Sequence, residues 1–155
     1  MEQKAVLRAL PDLIRPMVPA GLRDFRSSAR WAYLMKVYYG NELIHYEASH
    51  RAKAHTVELG LHFESDELTN ARLLGAFRVH ERAIRKRLPD ARLEQWDRGW
   101  TRIWEPLTYE RYDNELRDAL ADRLARYITV LEPILRDELP DDVEWRLAPA
   151  RTARA

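Results

Sequence analysis

Two histidines and two glutamates are the residues of this sequence best suited to chemistry. His45 and Glu47 lie in one segment of alternating apolar and polar residues, and Glu58 and His62 lie in the next. Because side chains of a β-strand alternate between its two faces, the even spacing within each segment places all four on one face of a sheet. Imidazole and carboxylate groups together ligate zinc, manganese or iron. The pattern therefore allows a metal-dependent enzyme of hydrolase or nuclease-like type.

The competing interpretation of the same four residues is a solvated outer face. No compact ligand motif such as H-E-x-x-H is present. The expected pairing of the two strands sets Glu47 opposite Glu58, a like-charge pair that costs stability unless a cation such as Lys36 lies beside it. No catalytic signature occurs either, since the serines lack a G-x-S-x-G context and no glycine-rich phosphate loop is present. We expect no cofactor and less than one equivalent of bound transition metal.

Residues 30–64 carry the pattern that must position these groups. Apolar and polar residues alternate through three segments, interrupted at Gly40-Asn41 and at residues 51–54. Glycine and asparagine tolerate the positive φ of tight hairpin turns, so the pattern predicts a three-strand antiparallel meander. With Gly40-Asn41 as a two-residue loop, the expected pairs are Val37 with Ile44, Met35 with Tyr46 and Tyr33 with Ala48.

One phase of this meander predicts the core and the other predicts an exposed face. The core set, with two helical residues added, is Tyr33, Met35, Val37, Ile44, Tyr46, Val57, Leu59, Leu61, Phe63, Phe77 and Leu124. The opposite face collects Leu34, Lys36, Tyr38, Leu43, His45, Glu47, Glu58, Gly60 and His62. A function of the sheet would have to reside on this second face.

Residues 91–105 predict a second hairpin around the loop Asp97-Arg98-Gly99. A glycine at the third loop position suits the left-handed conformation of a bulge. In that register Trp96 faces Trp100, Glu94 faces Arg102 and Arg92 faces Trp104. We expect Leu93 and Ile103 to point into the core and the tryptophans to point outward, because a charged pair is less costly in water.

Three helical segments complete the chain. The first precedes the meander and is interrupted by Pro11, Pro16 and Pro19. The second follows an N-cap at Ser65 or Asp66 and stops at Pro89, and the third follows Pro106 with Thr108 as cap, with Pro133 as a kink or end. The prediction is a single α+β domain over residues 1–139, ordered α-βββ-α-ββ-α, with about five antiparallel strands and the helices on one face. Residues 140–155 form a tail, in which Val143, Trp145 and Leu147 could dock as a short strand.

Aromatic and basic residues on the exposed face favour a non-catalytic interaction or small-ligand-binding module. Such residue types dominate binding hot spots. The expected apolar anchors are Tyr38, Trp96, Trp100 and Trp104, and the polar determinants are Arg92 and Arg102. An exposed patch of this size predicts a homodimer or a protein partner. The alternative is that the tryptophans close the core.

Composition limits the partners. The chain has 155 residues, 26 basic and 25 acidic side chains, a net charge of +1 and no cysteine. So small a net charge makes nucleic acid an unexpected partner. No apolar run has the length of a membrane helix, and the first residues lack the apolar core of a secretory signal. We expect a cytoplasmic protein.

The element order resembles two known families. Helix, three-strand meander, helix and strand is similar to the core order of PD-(D/E)XK nucleases, but Glu58-Leu59-Gly60 stands where their motif requires a lysine after the acidic residue. The order over residues 3–137 also resembles the class I type III secretion chaperones. That second resemblance implies a binding module that dimerises.

Overall fold

One antiparallel sheet of six strands organises the computed structural model, which describes residues 1–143. The α-helices are α1 (Gln3–Ile14), α2 (Glu67–Val79), α3 (Glu81–Arg87) and α4 (Asn114–Glu138). The strands are β1 (Arg26–Trp31), β2 (Leu34–Tyr38), β3 (Ile44–Arg51), β4 (Thr56–Phe63), β5 (Arg92–Gln95) and β6 (Thr101–Thr108). They are arranged in the order β1-β2-β3-β4-β6-β5. The predicted α+β class is confirmed, with six strands rather than about five.

The additional strand arises because the chain turns within the first predicted strand. Trp31 pairs with Leu34, so that Ala32-Tyr33 forms a two-residue turn between β1 and β2. The side chain of Tyr33 is 48% exposed, and its placement in the core was therefore wrong. Neither alanine nor tyrosine is a typical turn residue, which explains why residue types alone do not indicate a turn here.

The predicted pairs of the meander were wrong by two residues. Val37 pairs with Tyr46, and His45 lies directly opposite His62 rather than diagonal to it. The loop between β2 and β3 comprises residues 39–43 and is longer than the expected two-residue loop. The Asn41 side chain shapes it by accepting a hydrogen bond from the Leu43 amide at 3.0 Å. A shift of two preserves the face of every side chain. All predicted core residues except Tyr33 are accordingly buried.

The second hairpin has the predicted register. Arg92 pairs with Trp104 and Glu94 pairs with Arg102, while the Trp96 amide donates to the Trp100 carbonyl at 2.9 Å. Gly99 has φ +74°, as its loop position requires. Ile103 is fully buried and Leu93 packs against the core, so their inward orientation is confirmed.

The helix boundaries differ from the predicted ones in two places. Asp66 is the N-cap of α2, as predicted, but the helical run breaks at His80 into α2 and α3. Thr108 is not a helix cap, because β6 continues through Pro106 to Thr108. β5 pairs only with residues 101–104 of β6. Pro106 lies beyond them, where β6 has a neighbouring strand on one side only, and proline is tolerated at such an edge position. Asp113 caps α4 instead.

Helix α4 lies against the core face of the sheet. It continues through Pro133 to Glu138, so that Pro133 is not its end. Two buried carboxylates join helix and sheet. Tyr46 donates to Glu132 at 3.0 Å, and Tyr127 donates to Glu105 at 2.8 Å. The helices therefore occupy one face of the sheet, and we call the other the open face.

Two further predictions concern the ends of the chain and the membrane. Val143 packs against the core, whereas Trp145 and Leu147 lie outside the described residues. The domain boundary after residue 139 stays a prediction. Within residues 1–143, no helix is both long and apolar enough to span a membrane.

Gly60 provides a test of the sheet. Its φ is +155°, and a Cβ built there would lie 2.1 Å from the Ile103 carbonyl oxygen and 2.6 Å from the Trp104 Cα. We expect Gly60→Ala to lower the free energy of unfolding by more than about 2 kcal/mol, because the β6 backbone must move away. Urea unfolding followed by circular dichroism measures this.

The control for that variant is Gly75→Ala. Gly75 is exposed on α2, and a Cβ there would meet no atom within 4 Å. We expect it to raise the stability by about 0.5–1 kcal/mol, as alanine does in exposed helices. Equal stability of the two variants would contradict the close approach of β4 and β6.

Candidate metal centre on the open sheet face

Four side chains meet on the open face where β3 begins and β4 ends. His45 and Glu47 are on β3, His62 is on β4 and Glu64 follows its end. One potential ligand atom from each lies within 4.8 Å of all the others. The backbone holds Glu64 in place, since its amide donates to the Leu43 carbonyl at 2.8 Å. We call these four residues the His/Glu cluster.

The spacing of the ligand atoms suits a single ion. His45 Nε2 is 2.8 Å from a carboxylate oxygen of Glu47, and His62 Nδ1 is 3.3 Å from one of Glu64. The crossed distances are 3.7 Å from His62 to Glu47 and 3.9 Å from His45 to Glu64. Ligands of one tetrahedral ion with bonds of about 2.1 Å lie roughly 3.4 Å apart. The cluster therefore requires only small adjustments to surround a metal.

The tautomer of His45 follows from its second hydrogen bond. Its Nδ1 lies 2.7 Å from the Glu42 carbonyl oxygen, which can only accept, so that Nδ1 carries a proton. Its Nε2 then faces a Glu47 oxygen, which is also an acceptor at neutral pH. A proton or a metal cation must lie between these two atoms. A backbone carbonyl behind a metal-binding imidazole is the usual support for such a ligand.

His62 is the unsatisfied member of the cluster. Its side chain is 1% exposed, and among the described residues neither ring nitrogen has a hydrogen-bond partner. Its ring lies parallel to that of His45 at a centroid distance of 5.6 Å. Leaving buried polar atoms unpaired costs about 1–3 kcal/mol for each group. A cation bound at Nδ1 would satisfy one of these nitrogens.

Glu47 carries negative charge despite its burial. Burial by itself would raise its pKa, but the attraction of His62, the hydrogen bond and charge of His45, and the charge of Lys36 together hold the pKa at about 2. The carboxylate is thus ionised at neutral pH and available to a metal. Lys36 is its direct neighbour across β2 and β3.

Glu58, which the sequence grouped with the two histidines, is not in the cluster. It pairs with Ser49, and its carboxylate contacts Arg51 at 3.3 Å and Arg102 at 3.1 Å. Glu64 occupies the fourth position instead. The sequence contains the signal for Glu64, because it lies two residues after His62 and therefore shares its face. The erroneous register directed attention to Glu58.

A second cluster lies beside the first on β5 and β6. The Arg102 guanidinium is 3.8 Å from the ring centre of Trp104 and 4.3 Å from that of Trp96. Arg92 covers the Trp104 ring at 5.0 Å. We call these four residues the Trp/Arg cluster. The Trp96 ring also meets His62 edge-on at 5.7 Å, which connects the two clusters.

The predicted binding residues are divided by the structure. Trp104 is buried, whereas Trp96 and Trp100 are half-buried and in ring contact at 5.8 Å. Tyr38 is half-buried on β2, separated from β6 by two strands. Tyr38 is therefore not a member of the tryptophan patch.

Comparisons with known proteins give no guide to function. No family model matches the chain, and no curated protein or solved structure matches it. Any functional assignment therefore depends on the geometry of the open face.

Arg102 provides a test of the Trp/Arg cluster. It is buried and donates to Glu94 at 2.9 Å and to Glu58 at 3.1 Å. We expect Arg102→Ala to lower the free energy of unfolding by about 2 kcal/mol, because it leaves Glu94 without this partner and opens a gap between two rings. Chemical unfolding followed by circular dichroism measures the change.

Arg98→Ala is the matched control. The Arg98 side chain is 74% exposed and lies 5.5 Å from the Trp100 ring centre. Its removal should change the stability by less than about 0.5 kcal/mol. If both arginine variants change the free energy of unfolding equally, the Trp/Arg cluster contributes no more to stability than ordinary surface residues do.

Proposed function

We propose that this protein binds a divalent transition metal at the His/Glu cluster and uses the metal to hold a small-molecule ligand on the open face. The observation that supports this best is His62, a buried imidazole with no hydrogen bond in the described chain, next to two carboxylates. Such a group is costly in an empty site and favourable in a metal-bound one.

Each cluster residue has a definite role in this proposal. His45 Nε2 and His62 Nδ1 supply two nitrogen ligands, and Glu47 and Glu64 supply one oxygen ligand each. The Glu42 carbonyl fixes the orientation of His45. A set of two nitrogens and two oxygens suits zinc, manganese and iron, and it disfavours the softer ions that prefer thiolates.

The choice of ion decides what the centre can do. Four protein ligands fill a tetrahedral zinc ion, whereas six-coordinate manganese or iron would keep two positions for water or a ligand. The Glu64 side chain, at 14% exposure, is the most accessible of the four and marks the side from which a ligand would enter. A metal-bound water there would be a nucleophile, so hydrolysis is the reaction class that we propose for an active centre.

This proposal departs from the sequence-based expectation of little metal and no cofactor. That expectation rested on two glutamates directly opposite each other and on diagonal histidines. In the structure Glu47 faces Gly60, the histidines are directly opposite, and Glu64 completes the set. The cross-strand repulsion expected between Glu47 and Glu58, which argued against a metal, is thus absent.

The metal proposal predicts saturable binding. After removal of metal by a chelator, we expect one equivalent of manganese or zinc to bind per chain and to raise the melting temperature. At free metal one hundred times the Kd, the stabilisation should be about 2.7 kcal/mol. Isothermal titration calorimetry and thermal unfolding measure the two quantities.

His62→Phe should abolish that binding, since it keeps an aromatic ring in the buried position but has no ligand atom. His80→Phe is the control, because His80 is partly exposed near α4 and pairs with Glu138 at 2.9 Å. Circular dichroism verifies that both variants fold. Metal binding that survives in His62→Phe, or absence of binding in the wild type, would reject the centre.

The interaction-module hypothesis is the second candidate, favoured by the half-exposed Trp96 and Trp100. It predicts a homodimer with an interface of about 1,000 Å² or more. Light scattering should then show that Trp100→Ala dissociates the dimer without unfolding it. Trp31→Ala is the control, because Trp31 is 54% exposed on β1 at the opposite end of the sheet. A wild type that is monomeric at high micromolar concentration would contradict this candidate.

A further inference from the structure

A small cleft lies on the open face next to the His/Glu cluster. Its volume is about 50 Å³, and it is formed by the β1–β2 hairpin and the loop that precedes β3. Its lining residues are Ser28, Arg30, Trp31, Leu34, Lys36 and Glu42. None of their side chains is a ligand in the proposed metal site.

The cleft shares two supports with the metal site. Lys36 is the cross-strand partner of Glu47, and the Glu42 carbonyl is the acceptor for His45 Nδ1. Neighbouring strands lie about 4.8 Å apart. A group bound by Lys36 on β2 would therefore be between one and two strand spacings from a metal held on β3 and β4.

The charge of the cleft is positive. Lys36 and Arg30 contribute two cations against the single carboxylate of Glu42. Within residues 1–143 neither cation forms an ion pair or a side-chain hydrogen bond. By contrast, Arg51 and Arg102 on the same sheet are both engaged by Glu58. Lys36 and Arg30 are thus available to a ligand beside the metal site.

The donor types in the cleft suit a phosphate group. An arginine guanidinium binds two phosphate oxygens at once, a lysine ammonium adds a compact charge, and the hydroxyl of Ser28 adds a third type of donor. Ser28 and Lys36 are paired across β1 and β2, which keeps both at the same level of the sheet.

We infer that this cleft binds the phosphate group of a small-molecule ligand, another oxygen of which reaches the metal. The inference rests on the proposed metal site for the second contact, whereas the phosphate contact itself depends only on the cleft. A phosphate monoester that carries a further oxygen a few bonds from its phosphate is the ligand class that could span the two sites.

The experiment titrates inorganic phosphate into wild-type protein, with and without one equivalent of manganese. Lys36→Met should weaken phosphate binding about tenfold or more, as expected from the loss of one charge-assisted hydrogen bond, and should leave the manganese stoichiometry unchanged. Lys86→Met is the matched control, because Lys86 is exposed on α3 and its loss changes the net charge equally.

Phosphorus-31 NMR adds a readout of distance. Manganese is paramagnetic and should broaden the phosphate signal in the wild type, with less broadening at equal phosphate in Lys36→Met. If the wild type binds manganese but phosphate binds equally well to Lys36→Met, the phosphate inference is overturned and the metal centre stands. If manganese does not bind, the metal centre fails, and the metal-free titration still decides whether the cleft binds phosphate.

Discussion

The close approach of β4 and β6 at Gly60 is the constraint on which the open face depends. A side chain at this position would meet the β6 backbone, and only a residue without a Cβ allows the ladder between the two strands to continue. That ladder pairs His62 with Arg102 and so brings the Trp/Arg cluster beside the His/Glu cluster. Without it, the two halves of the open face would have no fixed relation.

Buried ionisable groups differ in their hydrogen-bond partners between the two faces of the sheet. On the core face, Glu132 accepts from Tyr46 and from Arg136, and Glu105 accepts from Tyr127. Burial, and to a smaller extent the charge of Glu105, raises the pKa of Tyr127 well above its ordinary value. The Tyr127 hydroxyl therefore stays protonated and donates. These carboxylates are satisfied by protein groups. On the open face the nitrogens of His62 are not, and this contrast within one fold is why we assign the site to the open face.

The sequence determined the faces of the strands better than their neighbours. Alternation predicts which side a residue occupies, and Met35, Leu59 and Leu61 are buried accordingly. Alternation does not reveal a register shift of two residues between strands, because such a shift leaves each side chain on its own face. The register of the hairpin of β5 and β6 was predicted correctly, since Gly99 fixes the loop length. The turn at Ala32-Tyr33 carries no comparable marker.

The candidate site was only partly accessible to sequence reasoning for the same physical reason. His45, Glu47 and His62 were found because they share a face. Choosing between Glu58 and Glu64 required the register of β3 against β4, which depends on the turn at residues 52–55, where His55 is left-handed with φ +50°. The lack of a hydrogen bond at the His62 nitrogens, within the described residues, depends on tertiary contacts that no local pattern encodes.

The strand order also implies a coupling between the two proposed ligands. Without a metal, the ionised carboxylate of Glu47 lies beside the phosphate cleft and repels an anion there, although Lys36 offsets part of that repulsion. A divalent cation held by the carboxylates of Glu47 and Glu64 would neutralise their charge and remove that repulsion, so that metal binding strengthens phosphate binding. Coupling free energies are reciprocal, and bound phosphate must strengthen metal binding by the same factor. A phosphate-bearing ligand would therefore raise metal occupancy as well as occupy the cleft.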